Sequence, residues 1–425
     1  MLDLRYIREN AAAVAENSRN RGVEADVDLV VELADRRSEL IQELNELRQQ
    51  QNQLAKSVGG ERDPEARQRL IAKSRGTKEL IPEREAELQA VEGRLREEML
   101  KIPNMTHPDA PIGRDDTENV EIRRSGEIPA FGFEPKDHVE LGESLGIIDF
   151  EAGTKVAGSK FYFLRGDAVL LELGLVRYAL DTLIERGYEP VITPDLAHDE
   201  ALIGTGFMPR GPETQIYSVE GNDLSLIATA EIPLAGLLAG EIIDGERLPI
   251  RLAGLSHCFR TEAGSHGRAS RGLYRVHQFT KVEMFAFAEP EQSEALHEEM
   301  LGIEEEIFGG LGIPYRVVDI CTGDLGGAAY RKYDLEAWMP GRNAYGEITS
   351  TSNTTDYQAR RLQIRYRRAE PGGRPQLLHT LNGTAIAVSR ALIPILENYQ
   401  QEDGSVLVPE ALVPYVGKKK LEPAQ

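Results

Sequence analysis

The sequence predicts an α+β chain preceded by an antiparallel two-helix coiled coil, and three observations carry that expectation. Leucines recur every seven residues near the N-terminus. A strand–loop–strand pattern occupies the middle, from Leu248 to Ala288. An apolar helical stretch interrupted by a single cation, Arg390, follows Leu381. Alternation of period two and recurrence of period seven in one chain mark different kinds of structure in different regions.

The heptad stretch is residues 28–58, DLVVELADRRSELIQELNELRQQQNQLAKSV, rich in helix formers and free of Gly and Pro. Leu33, Leu40, Leu47 and Leu54 share one register. Val30, Leu44 and Val58 occupy a second, whose remaining positions are Arg37 and Gln51. This is an a/d seam, polar in places. Gly59-Gly60 is expected to break the helix and Asp63-Pro64 to begin another. Leu70, Ser74, Thr77, Ile81, Leu88, Val91 and Leu95 form the stripe of that second helix, which Pro82 is expected to kink or restart. The pair would reach roughly 45 Å at 1.5 Å per residue. Pattern alone suits a scaffold or a dimerisation rod. Residues 28–100 hold 13 Lys and Arg against 16 Asp and Glu, so the arm is no basic rod. Arg36, Arg37, Arg48, Lys56, Arg67, Arg69, Lys73, Arg75 and Lys78 are its candidates for phosphate contacts.

Ile102-Pro103-Asn104 closes the arm, giving domains 1–104 and 105–425. Residues 104–135, with Pro108, Pro111 and Pro129, read as an irregular linker. Gly166–Glu185 has helical amphipathicity and leads into a strand ending at Pro194. Gly153–Lys160, GTKVAGSK, is not a phosphate loop: its Lys does not follow the second Gly directly, and the strand-like FYFL comes next.

In the hairpin, Leu248–Glu262 and Leu273–Ala288 flank a tip of Gly, Ser, Arg and His that includes Arg268 and Arg271. Alternation places Arg260 and Glu262 on one side of the first strand. On the second, Arg275, His277, Phe279, Lys281 and Glu283 line one face, and Tyr274, Val276, Val282 and Met284 the other. A half-wet hairpin is the plain explanation. Phe279 among charges argues for more: an Arg suits phosphate, an aromatic plane a base, and a carboxylate an amine.

Three further segments carry chemistry. Thr229-Ala230-Glu231 opens an apolar helix, where a Thr cap and an early Glu are ordinary. In Glu347-Ile348-Thr349-Ser350, alternation puts Glu347 and Thr349 on one face, Ile348 and Ser350 on the other, unless a bulge intervenes. Leu381-Asn382-Gly383-Thr384 is expected to turn into the apolar helix that bears Arg390. That cation needs an anion, either a carboxylate or a phosphate.

The net charge of −21 excludes a chain basic throughout, so any nucleic acid must meet local patches. MLDLRYIREN carries charges where a signal peptide needs an apolar core. Glu231 and Glu241 interrupt the longest apolar run, Leu224–Ile243, so no membrane span is expected and the location is read as cytoplasmic. Cys258 and Cys321 cannot form a zinc site by themselves.

FRTEAG followed by RGLYRVHQFTKVEM resembles motif 2 of the class II aminoacyl-tRNA synthetases, in the form found in seryl-tRNA synthetases. Residues 166–196 resemble motif 1, 255–285 motif 2 and 380–400 motif 3. The resemblance extends over nearly the whole chain, to VPEALVPYVG, with the motifs in the family's order. It implies a catalytic domain built as an antiparallel β-sheet with flanking helices, a homodimer joined through motif 1, and an N-terminal arm that grips the long variable arm of tRNA. The implied reaction is ATP-dependent formation of seryl-adenylate and transfer of serine to tRNA-Ser, with tRNA-Sec as a further acceptor. The implied catalytic residues are Arg260, Arg275 and Arg390.

By the same resemblance, ATP would meet Arg260, Thr261, Glu262, Arg275, Val276, Phe279, Glu347, Ile348, Thr349, Ser350 and Arg390. L-serine would meet Thr229, Ala230, Glu231, Arg260, Glu283, Asn382 and Thr384. Glu347 and Ser350 would hold Mg²⁺, and no zinc is implied. His277 is read as a hydrogen-bonding support rather than a base. Two other classes are distinguishable. An amino-acid ligase acting on a carrier protein would lack the long arm, and a non-catalytic paralogue would be expected to lose Arg260, Glu283 or Arg390.

Overall fold

The computed structural model describes residues 1–208, 215–263, 272–368 and 373–423, and divides into two compact units, Met1–Pro103 and Asn104–Gln425. The first unit has two short helices, α1 (Leu4–Glu9) and α2 (Ala11–Asn20), then two long ones, α3 (Val27–Gly60) and α4 (Pro64–Lys101). Val30, Leu33, Leu40, Leu44 and Leu54 are buried, as the seam requires. Its polar positions are matched across the pair: Arg37 meets Glu92 at 2.9 Å, and Gln51 donates to Ser74 at 3.2 Å. Arg36 bonds Glu87 at 2.6 Å, and Arg48 bonds Glu85 at 2.7 Å, so α3 and α4 run antiparallel.

Two details of the arm differ from expectation. The glycines do not break α3; they are its last two residues. The stop comes from Asp63-Pro64, because proline bars its predecessor from the helical region, and Asp63 is extended at φ −77°, ψ 122°. Asp63 then caps α4 by accepting the Ala66 N–H at 3.1 Å. Pro82 neither ends nor restarts α4, which is continuous from Pro64 to Lys101. It lies on the exposed face, where water can take the carbonyl left without a partner.

The second unit is organised on an eight-stranded sheet. Its strands are β1 (Val120–Ser125), β2 (Glu189–Ile192), β3 (Ile250–Phe259), β4 (Gln278–Ala288), β5 (Tyr315–Asp319), β6 (Arg331–Met339), β7 (Ala344–Thr355) and β8 (His379–Ala387). Their spatial order is β1-β5-β6-β7-β8-β4-β3-β2. All neighbours are antiparallel except β2, which runs parallel to β3 at one edge. Residues 104–135, expected to be an irregular linker, contain β1, the other edge strand. Every side chain of VEIRRS is exposed, and the alternation of Val120 and Ile122 is too short to have marked it as a strand.

Helices α6 (Asp167–Glu185), α8 (Ser293–Gly310) and α10 (Val388–Asn398) cover one face of the sheet. Leu171, Leu175, Met300, Ile307, Leu392 and Leu396 pack there on Val282, Met284, Leu335 and Ile386. On the other face, Phe285 and Phe287 pack with α7 (Glu231–Gly236) and α9 (Tyr357–Leu362). Beside that second core the sheet stays open and polar, and a cavity forms. The helix α5 (His138–Ser144) packs against α10. No helix among the described residues is long and apolar enough to cross a membrane.

Candidate active site

A cavity of about 790 Å³ opens on the polar face of β4, β6, β7 and β8. The hairpin strands end sooner than alternation suggested. β3 stops at Phe259 and β4 begins at Gln278, so Arg260, Glu262, Arg275 and His277 belong to the segments beyond them. These segments are still held together. Arg260 N–H donates to His277 O at 3.0 Å, and His277 Nδ1 lies 2.8 Å from Arg260 O. Thr261 N–H donates to Gln215 O at 3.0 Å, and Glu262 turns the chain at φ +51°. For a residue with a Cβ that is a strained conformation, held here by its surroundings. Arg275 meets the Glu262 carboxylate at 3.2 Å. The Arg260 guanidinium lies 5.4 Å from the centre of the Phe279 ring, within cation–π range. Arg268 and Arg271 lie outside the described residues.

Leu381–Thr384 does not turn into a helix. It lies within β8, and α10 begins only at Val388. Arg390 therefore sits in the first turn of α10, and its anion is a carboxylate: Glu347 Oε1, at 2.8 Å. The guanidinium also stands 5.0 Å from the Tyr274 ring centre. Burial would raise the Glu347 carboxyl, but Arg390 and Lys332 hold it down at about 2.

A bulge does intervene on β7. Glu336 pairs with Glu347 and Leu335 with Thr349, leaving Ile348 unmatched. Simple alternation is overturned as a result. Thr349 turns its hydroxyl away from the cavity, donating to buried Glu304 at 3.0 Å, while Ile348 enters the apolar core. Glu347 and Ser350 both line the cavity, close to Asp334, the cross-strand partner of Ser350. Burial pushes the Asp334 carboxyl up to about 8, against the pull of Lys332.

The far end of the cavity is a buried polar network. Glu283 is ion-paired with Lys281, whose ammonium donates to the Thr229 hydroxyl at 2.7 Å. Thr384 donates to Glu283 at 3.3 Å. Glu231 accepts from Gln358 at 2.6 Å and from Asn382 at 3.1 Å through the same oxygen, Oε1. Thr229 accepts the Glu231 N–H at 3.2 Å, which fixes the start of α7. Ala230 is wholly buried and does not line the cavity, and neither does Thr261. All other residues named from the sequence for nucleotide or serine line it.

Lys281 and Gln358 had no assigned role, yet both are buried beside the polar groups of this end. Lys281 alternates with Glu283 on one strand face, a signal legible as an ion pair. Gln358 gave none, since its partner Glu231 is distant in sequence. His277 is engaged on several sides: its N–H donates to Lys160 O at 3.2 Å, and Nδ1 lies 3.0 Å from the Tyr217 hydroxyl.

A cavity lined by three arginines, one of them over an aromatic ring, and by a linked group of buried hydroxyls, amides and carboxylates suits an amino acid joined to a nucleotide. The seryl-tRNA synthetase N-terminal domain matches residues 1–106, and the class II tRNA synthetase core domain (G, H, P, S and T) matches residues 216–399. Over the full length of both chains the sequence is 76% identical to a serine–tRNA ligase of Rubrobacter xylanophilus. It is 57% identical to that of Treponema denticola, over 98% of this chain and 99% of the other. The solved seryl-tRNA synthetase of Pyrococcus horikoshii, complexed with ATP, matches over all of both chains with a TM-score of 0.93 and 42% identity. A cytoplasmic serine–tRNA ligase of Naegleria fowleri in complex with AMP matches with a TM-score of 0.86 and 34% identity, over 100% of this chain and 99% of that one. The chain belongs to the seryl-tRNA synthetase family, class II ligases that activate serine with ATP and transfer it to tRNA.

Proposed function

We propose that the two ends of the cavity divide the work of activation, the arginine end taking ATP and the buried polar end taking L-serine. The observation that carries this is the segregation itself. Arg260 stands over the Phe279 ring, Arg275 pairs with Glu262 and Arg390 with Glu347, while Thr229, Glu231, Glu283, Asn382 and Thr384 form a separate hydrogen-bonded group joined through Lys281. Phe279 stacks on adenine, Glu262 and the backbone near Val276 read its edge, and Arg275 and Arg390 bind the γ-phosphate. Arg260 bridges the ends, touching the α-phosphate and the serine carboxylate. Glu231 and Glu283 receive the ammonium and hydroxyl of serine, and Thr384 helps select the hydroxyl.

A serine carboxylate oxygen attacks the α-phosphorus, and pyrophosphate leaves. A hydroxyl of the terminal tRNA adenosine then attacks the carbonyl carbon, and AMP leaves. No side chain acts as nucleophile; the residues position the reactants and oppose developing charge. Glu347 and Ser350, a carboxylate and a hydroxyl on one wall, suit Mg²⁺, which prefers oxygen donors and completes its shell with phosphate and water. Bound there, the ion would neutralise phosphate charge.

The helical arm takes the long variable arm of tRNA-Ser, and tRNA-Sec, which shares that feature, is a second acceptor. Exposed Val169, Leu170 and Leu173 on α6, with Ile192 on β2, support a homodimer through this region. The enzyme works in the cytoplasm. Exchange of labelled pyrophosphate into ATP, without tRNA, tests the activation step. Exchange with serine but not threonine or alanine is expected; none from folded protein with Mg²⁺ would sink the reading.

A further inference from the structure

Glu397 lies seven residues after Arg390 on α10 and is fully buried. Its carboxylate collects donors from two other segments. Oε2 accepts the Gly341 N–H at 2.8 Å, in the turn before β7. Oε1 accepts the His138 N–H at 3.0 Å and lies 2.8 Å from His138 Nδ1. The opposite ring nitrogen, Nε2, is 3.1 Å from the Leu273 nitrogen. A backbone N–H can only donate, so Nε2 accepts and the ring proton sits on Nδ1, donated to Glu397. The chain passes so close that only glycine fits beside it. Gly272 has φ +80°, and a Cβ there would come within 2.0 Å of Nε2.

Leu273 leads directly into the nucleotide side of the cavity. The Tyr274 ring has Arg342 at 4.1 Å and Arg390 at 5.0 Å from its centre, and Arg275 comes next. A continuous set of hydrogen bonds therefore runs from the helix bearing Arg390, through Glu397 and His138, to the limb bearing Arg275.

We propose that His138 is a positioning residue for ATP binding, a rigid spacer that sets the Arg275 limb at a fixed height against the Arg390 helix. The inference rests on the reading of Arg275 and Arg390 as triphosphate ligands. Without the imidazole, the Leu273 amide has no acceptor in a buried place, and the limb is free to shift. The serine end stands on β4, β8 and α7, outside this relay.

The test compares three full-length variants by pyrophosphate exchange, with deuterium uptake measured over residues 272–277. His138→Ala is expected to raise KM for ATP about tenfold, leave KM for serine within about twofold, and speed exchange at the Leu273 amide. Gln reaches the Nε2 position and Asn only the Nδ1 position. His138→Gln is therefore expected to recover most of the ATP affinity, and His138→Asn little of it. Equal defects in Gln and Asn variants, equal rises of both KM values, or an unmoved Leu273 amide would overturn the proposal. Should His138→Ala fail to fold, the Gln and Asn pair decides. Arg275→Ala separates the underlying reading. If it leaves KM for ATP unchanged, that reading fails, and uptake at Leu273 alone then decides whether His138 positions the limb.

Discussion

Arg390 and Glu347 face each other at 2.8 Å, so the cation proposed for triphosphate is held by a carboxylate from the neighbouring strand. Arg390→Ala removes a charge at the reacting end. It is expected to lower kcat/KM for ATP about a hundredfold or more in pyrophosphate exchange. Arg390→Lys recovers little, since an ammonium lacks the planar fork. Wild-type exchange from either variant would remove Arg390 from the mechanism.

Glu231 offers one oxygen to two amide donors, Gln358 and Asn382. An amide in its place would present a donor where acceptors are needed. Glu231→Gln is expected to raise KM for serine at least tenfold while KM for ATP stays near wild type. A parallel rise of both constants would contradict the division of the cavity.

Apart from Arg69 and Arg75, which pair with Glu65 and Glu79 of their own helix, the arm's candidate cations fall into two groups. Arg36, Arg37 and Arg48 bond glutamates of α4, whereas exposed Lys56, Arg67, Lys73 and Lys78 carry no ion pair among the described residues. Neutralising the second group is expected to weaken tRNA charging. Removing one cation that touches a phosphate should also flatten the salt dependence of binding, by about one unit of the log–log slope. Pyrophosphate exchange is expected to stay at wild-type rate. Neutralising Arg36 instead loosens the arm, seen as earlier thermal unfolding of its helices.

His297 is buried beneath the sheet, stacked on Tyr333 at 5.0 Å, with Nε2 3.1 Å from the Thr351 carbonyl. Burial pushes its pKa down from 6.5 to about 4. Between those values the unfolded chain binds the extra proton and the folded one does not. The stability that neutral His297 contributes is therefore complete above about pH 6.5 and is lost as pH falls toward 4. Denaturant melts are expected to show His297→Gln gaining roughly 2 kcal/mol relative to wild type on going from pH 7.5 to pH 5, a difference that isolates His297 from other buried groups such as Asp334.

Much of the fold was legible because the signals were local and periodic. The seam of α3 depends on residues seven apart, and Phe279, Lys281 and Glu283 share a strand face at spacing two. What escaped depended on distant partners or on one residue of register. Ile348 is an ordinary apolar residue in sequence; only pairing with β6 reveals that two residues there oppose one. β1 has no buried face, and its identity comes entirely from the β5 backbone. His138 and Glu397, 259 residues apart, are each unremarkable until the fold joins them. The cavity residues were found by resemblance, whereas Gln358, His138 and Glu397 behind them had no signature to find.

The strand order has a consequence for the growing chain. β8 lies between β7 and β4, pairing with both, yet it is made last of the eight. It supplies Asn382 and Thr384, and the helix just after it supplies Arg390. Until those residues have emerged from the ribosome, β4 and β7 have no strand between them and the cavity lacks a wall. On the proposed division of the cavity, an incomplete nascent chain thus cannot trap ATP or serine, and a product truncated before Thr384 is expected to be inert rather than partly active.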